Sequence, residues 1–334
     1  MSAIQLLLIL IAFALVFDFL NGFHDSANVV ATIIASRAMS ARGALALAAL
    51  ANLAGPFLLG VAVAETVGAE VVRAEAVSIA VVLAALLSAS AWNLATWYFG
   101  IPVSSSHALM GALVGAAVAA SGPGAIQAYG LWKVAIALIV SPILGFVVAL
   151  AIMQTTLWLL RDATPRANVT LSRLQVLTST ALALSHGAND AQKTMGLIAM
   201  GLLTLGFTPV FVVPWWVVLI AASAIALGTA VGGWRVIRTL GTRFYKIHAI
   251  HGFTSQFASA VVILGASLAG GPVSTTQVVS MSILGAGAAE RASKVRWAVL
   301  NEIVVAWVLT LPATALLALP LYYVIEPILR RGGW

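Results

Sequence analysis

The chain has 334 residues, 62% hydrophobic and only 8% charged, with mean hydropathy +1.06, a formal net charge of +7 and no cysteine. A soluble domain carries about 25% charged residues, so the bulk of this chain belongs in lipid. Disulfide frameworks, thiolate chemistry and cysteine-based metal sites are excluded. The positive charge sits in short loops between apolar runs, where it sets membrane orientation and does not mark a nucleic-acid partner.

In chain order, apolar helices are expected at about 4–36, 44–64, 76–99, 103–121 and 131–160, then at 176–206, 214–232, 248–270, 272–288 and 297–325. No charged n-region or cleavage site precedes Asp18, so the first run reads as a membrane helix and not a signal peptide. Asn21, His24, Asp25 and Asn28 interrupt this run, and a break is expected near 21–25. The sixth run is interrupted in the same way at 185–190. Gly22 and Gly187 are expected to let the backbone unwind just before each aspartate. Pro312 and Pro320 are expected to bend or split the last run.

Loop charges orient these segments. Arg37 and Arg42, then Arg161, Arg166 and Arg173, then Arg235, Arg238, Arg243 and Lys246, then Arg291, Lys294 and Arg296 fall on one side if each helix crosses once. That side is cytoplasmic by the positive-inside rule. The loop with Glu65, Glu70, Arg73 and Glu75 falls outside, with the uncharged stretch 122–130. Arg330 and Arg331 land on the outer side, which points to a miscounted span near the C-terminus. Asn168-Val-Thr170 matches a glycosylation sequon but lies on the cytoplasmic side, where it has no meaning.

The chain repeats itself. Gly22 to Asn28 aligns with Gly187 to Lys193, and Pro102-Val-Ser104-Ser105-Ser106 aligns with Pro272-Val-Ser274-Thr275-Thr276 at nearly the same offset. About five segments per half is an odd number, so the second half starts from the opposite side, as in an inverted repeat. The fold class expected is an all-α polytopic membrane protein of two inverted-topology repeats, with broken helices and re-entrant hairpins. Residues 1–160 form the first repeat, 161–175 a cytoplasmic linker and 176–334 the second repeat.

Each Pro-Val-Ser motif reads as the start of a helix, with hydroxyls, unpaired N–H groups and a positive dipole end. Such an end is an anion site. A single motif reads as a plain cap at the membrane surface, whereas the pair favours two hairpin tips at the midplane. Asp25 and Asn28 share a helical face, as do Asp190 and Lys193. These groups can coordinate a monovalent cation or carry a proton. The five histidines (His24, His107, His186, His248 and His251) show no zinc-motif spacing, so metal catalysis is not expected. Asp18, Asn52, Asn93, Asn301 and Glu302 are further polar residues inside apolar runs. Asn93 and Glu302 are candidates to line the cavity, and helix–helix hydrogen bonding is the expectation for the asparagines.

These motifs resemble the inorganic phosphate transporter family of the PiT type. That family carries a duplicated Gly-x-Asn-Asp signature, matched by Gly187-Ala-Asn189-Asp190. The upstream copy departs from it, with Phe23-His24 before Asp25, and is similar to the bacterial branch. The resemblance covers both halves. It implies a secondary transporter in a prokaryotic plasma membrane, often a homodimer, that imports inorganic phosphate with Na⁺ or H⁺ and needs no cofactor. It also implies that Ser104, Ser105, Ser106, Ser274, Thr275 and Thr276 hold phosphate, and that Asp25, Asn28, Asn189 and Asp190 hold or relay the coupling cation. Lys193 and Gln192 stand where many members have asparagine and a small residue. A fixed ammonium at Lys193 would replace one bound Na⁺ or contact phosphate, which favours H⁺ coupling. A sulfate symporter and an intramembrane metal-dependent hydrolase are the alternatives.

Overall fold

The computed structural model describes residues 1–331; residues 332–334, the end of the expected second repeat, lie outside the described residues. The chain is helical, as its composition requires. The helices are α1 (Ala3–Ala35), α2 (Ala41–Leu59), the single turn α3 (Ala62–Glu65), α4 (Ile79–Phe99), α5 (Ser105–Ser121) and α6 (Ala128–Leu159). The second half contains α7 (Arg166–Thr204), α8 (Trp215–Val231), α9 (Trp234–Thr242), α10 (Ala249–Leu268), α11 (Thr275–Arg291) and α12 (Trp297–Arg331). Among the described residues, six helices are long and apolar enough to cross a membrane, or seven if α8 and α9 form one span bent by 69°. Each end is set by residues with a local reason to stop or start a helix. Ser2, Ser40, Ser78, Ser104 and Ser274 cap N-termini with their hydroxyls, and Gly100 closes α4 in the left-handed conformation at φ 68°.

The expected breaks near 21–25 and 185–190 do not occur: α1 and α7 run unbroken through Asp25 and Asp190. Gly22 and Gly187 serve packing instead. A Cβ at Gly22 would lie 2.1 Å from the Ile225 carbonyl oxygen on α8, and one at Gly187 would lie 2.4 Å from that of Asn52 on α2. The crossings are reciprocal, since Gly228 of α8 meets Phe19 of α1 and Gly55 of α2 meets Leu184 of α7. In lipid, backbones brought together by small residues gain the dispersion contact that holds a bundle. The real break is at Gly232-Gly233, between α8 and α9. Nor do the prolines split the last run: α12 is one helix through Pro312, Pro320 and Pro327. A broken backbone facing hydrocarbon would leave more groups unsatisfied than the bond each proline removes.

Contacts sort the loops into two ends. Arg37, Lys246, His248 and Arg296 line one cavity of about 510 Å³. Leu6, Ser78, Ser121, Glu75 and Glu326 line another of about 320 Å³. The basic loops therefore share an end. Arg330, at the other end, pairs with Glu326. The outer ends of α4 and α5 both lie at the acidic end, by Ser78 and Ser121. Those of α10 and α11 are joined at the basic end by a 2.8 Å contact between His251 Nε2 and Glu290 Oε2. α4 with α5 and α10 with α11 thus form two hairpins whose outer ends lie at opposite ends of the molecule. α5 packs on α12 and α11 on α6.

Candidate functional site

The hairpins meet at their tips. Ser106 Oγ, in the first turn of α5, donates to the Val273 carbonyl just before α11 at 2.8 Å. Each tip repeats one local design. A glycine in the left-handed region (Gly100, Gly270) turns the chain, Pro-Val follows, and a serine hydroxyl caps the returning helix. Ser104 Oγ accepts from the His107 amide at 3.1 Å and Ser274 Oγ from the Gln277 amide at 3.3 Å. The hydroxyls free to face the centre are therefore those of Ser105, Ser106, Thr275 and Thr276.

α1 and α7 bring their polar residues to this junction. Asp25 Oδ2 accepts from Ser105 at 3.0 Å; its Oδ1 accepts from Thr276 at 3.2 Å and lies 2.8 Å from His24 Nδ1. Asp190 accepts from Thr275 at 3.2 Å through Oδ2, lies 3.1 Å from His186 Nε2, and pairs through Oδ1 with Lys193. Asn28 donates to Thr276 Oγ1 at 2.9 Å. Asn189 donates to Ser267 at 2.9 Å and to the Gly271 carbonyl at 3.2 Å, so it braces the second tip from behind. All eleven expected site residues are no more than 2% exposed, so the site is closed in this conformation.

Lys193 is the hub. Its three N–H bonds find Asp190, Ser106 Oγ at 2.5 Å and the Val273 carbonyl at 3.3 Å, tying α7 to both tips. Burial without such partners would be prohibitive for an ammonium. Two carboxylates against one ammonium leave the centre short of positive charge. Ligand atoms of Asp25, His186 and Asp190 lie within 4.8 Å of one another, a spacing that suits a small cation.

Some polar residues serve elsewhere. Gln192 Oε1 accepts from the Val63 amide at 2.8 Å and the Ala64 amide at 3.3 Å, which caps α3. Asn52 bonds Thr229 at 2.8 Å across α2 and α8, as expected for an asparagine in a bundle. Glu302 does not line the centre; it is exposed at the basic end and pairs with Arg243 at 2.9 Å. Asn301 is also exposed and bonds no helix. The sequence reading missed His186. It lies four residues before Asp190, and that helical spacing was the available signal.

Residues 21–318 match the model of the phosphate transporter family. The chain belongs to that family. The probable low-affinity inorganic phosphate transporter of Rhizobium meliloti is 45% identical over 96% of this chain and 97% of its own length. The similarly described protein of Bacillus subtilis is 41% identical over 98% of this chain and 100% of its own. The fold matches a solved structure described as the sodium-dependent phosphate transporter, with TM-score 0.87 and 24% identity over 97% of this chain and all of that one. The protein is thus an integral plasma-membrane transporter and not an enzyme.

Proposed function

We propose that this transporter imports inorganic phosphate by cation symport, with H⁺ favoured over Na⁺, through alternating access of two inverted repeats. The observation that carries the reading is the tip-to-tip meeting of two hydroxyl-rich helix ends over Asp25 and Asp190. Hydrated phosphate dianion is expensive to desolvate, so its water must be replaced by several donors at once. Two helix N-termini, each equivalent to about +0.5 charge, supply part of this, with Ser105, Ser106, Thr275, Thr276 and Lys193. Ser104 and Ser274 set the shape of the tips. The repeats are 1–160 and 176–334; of the cytoplasmic linker expected at 161–175 only the part before Arg166 is a loop, the rest being the start of α7, and the protein works as a homodimer. The reciprocal packing of α1 with α8 and of α2 with α7 supports this division.

The dianion adds to a centre already short of positive charge, so monovalent cations must enter with it. Asp25, Asn28, Asn189 and Asp190 are the coupling groups. Lys193 occupies Asp190 with a fixed charge, which removes one reason to bind Na⁺ and favours the proton. A closed site between two hairpins of opposite entry suits a carrier whose halves exchange conformations around it. Labelled phosphate uptake into proteoliposomes under separate pH and Na⁺ gradients, with sulfate as competitor, tests the reading. Acid-outside accumulation insensitive to sulfate is expected. Uptake indifferent to both gradients removes symport, and equal competition by sulfate removes phosphate selectivity.

A further inference from the structure

Three carboxylates are fully buried among the described residues: Asp18, Asp25 and Asp190. Both oxygens of Asp25 and of Asp190 have a hydroxyl or a basic group as partner. Asp18 is 0% exposed and has no basic group in ion-pair contact; the neighbour placed to donate to it is the neutral hydroxyl of Thr194 on α7. Asp18 lies on the stripe of α1 that carries Asn21 and Asp25, at spacings of three and seven residues. On the same stripe, both amide atoms of Asn21 lack partners. On α4, packed beside α1, both amide atoms of Asn93 lack partners too. The charged groups that face Asp18 are Asp190 and Lys193 on α7, and these already bind each other.

An ionised carboxylate with only a neutral hydroxyl beside it and no cation in contact is not tolerated in a dry interior, whereas a neutral carboxyl beside a hydroxyl is. We propose that Asp18 is a further proton-carrying residue of the coupled cycle, beside the coupling groups of the site: its carboxyl enters the closed state protonated and releases that proton to water when the site opens at the basic end. The step is balanced, since the O–H bond of Asp18 breaks and the proton passes to water, leaving a carboxylate that is reprotonated at the acidic end. Asp18 does not touch the phosphate groups of the site and acts on transport only through its charge. The proposal rests on the reading of the chain as a proton-coupled phosphate importer.

Phosphate exchange separates the two. Exchange of internal for external phosphate at equal pH needs no net proton movement, whereas accumulation against a gradient does. Wild type and Asp18→Asn are reconstituted, and labelled phosphate is followed in both modes, with Asp18→Glu as the conservative variant. The expected result is exchange within about twofold of wild type, at least a tenfold loss of pH-driven accumulation in Asp18→Asn, and recovery in Asp18→Glu. Exchange in Asp18→Asn should also lose its dependence on pH. Asp18→Asn accumulating phosphate as wild type does overturns the proposal while leaving proton coupling intact. Loss of exchange together with accumulation, in protein that elutes as one folded peak, also overturns it, because Asp18 is then structural. Wild type that ignores the pH gradient overturns the underlying reading first.

Discussion

Asp25 and Asp190 occupy matching places in the two halves, and each accepts from a tip hydroxyl. They are satisfied differently. Asp25 is surrounded by neutral donors and the ring of His24, with Asn28 beyond them on Thr276. Asp190 is held by a fixed ammonium that also grips Ser106 and Val273. Two matching motifs have thus become two unlike surroundings: Asp25 meets neutral hydroxyls and a histidine ring, whereas Asp190 carries a fixed counter-ion. The lesson is that matching motifs bring the same groups to one junction, while single side chains set the charge around each.

The largest expected effect comes from removing either carboxylate. Asp25→Asn and Asp190→Asn should each lower phosphate uptake more than a hundredfold, measured in proteoliposomes. Their stabilities should differ. Asp190→Asn leaves Lys193 buried without its counter-ion, a loss of ~3–5 kcal/mol. Asp25→Asn disturbs hydrogen bonds to neutral donors, about 1–3 kcal/mol. Thermal unfolding in detergent reads this difference, and equal losses would break the comparison. Lys193→Asn sharpens it: uptake without Na⁺ should fall at least tenfold and recover when Na⁺ is supplied. Failure of Na⁺ to restore uptake would mean that the ammonium contacts phosphate instead of standing in for a cation.

Much of this site was legible in the sequence because its chemistry is local and doubled. The Pro-Val-Ser pair places hydroxyls at helix starts whatever the fold, and the aspartates recur in register with it. The hairpins, the common end of the basic loops and the convergence of eleven residues follow from that. Continuity of α1 was not legible. A polar cluster inside an apolar run reads as a break, yet partners from α5 and α11 satisfy its Asp25 and Asn28, across sequence separations that no local pattern reveals. For the same reason Gly22 and Gly187 read as hinges when they are crossing points. Glu302 was misplaced because it stands near the exposed start of its apolar run, at the basic end, where Arg243 meets it.

The crossing points give the next test. Gly22→Ala and Gly187→Ala each push a methyl group into a neighbouring backbone that has no side chain to give way. Overpacking of this kind costs about 1–3 kcal/mol, and both variants should lose comparable stability if the two crossings are equivalent. A hinge role would predict the reverse, with unfolding temperature unchanged and only transport altered. Circular-dichroism melts beside uptake rates distinguish these cases.

The smallest expected effect lies at the tips, where the halves are most alike. Ser104 and Ser274 spend their hydroxyls on the caps of α5 and α11. Replacing either with alanine should remove ~1 kcal/mol of stability. It should raise the KM for phosphate only a few-fold, and equally for both, because the side chains shape the tips without facing the centre. Ser105→Ala removes a donor from Asp25, and Thr275→Ala removes one from Asp190. Here the halves should part again. Asp190 retains its ammonium and tolerates the loss, whereas Asp25 has no fixed cation to fall back on, so Ser105→Ala should impair uptake several-fold more than Thr275→Ala.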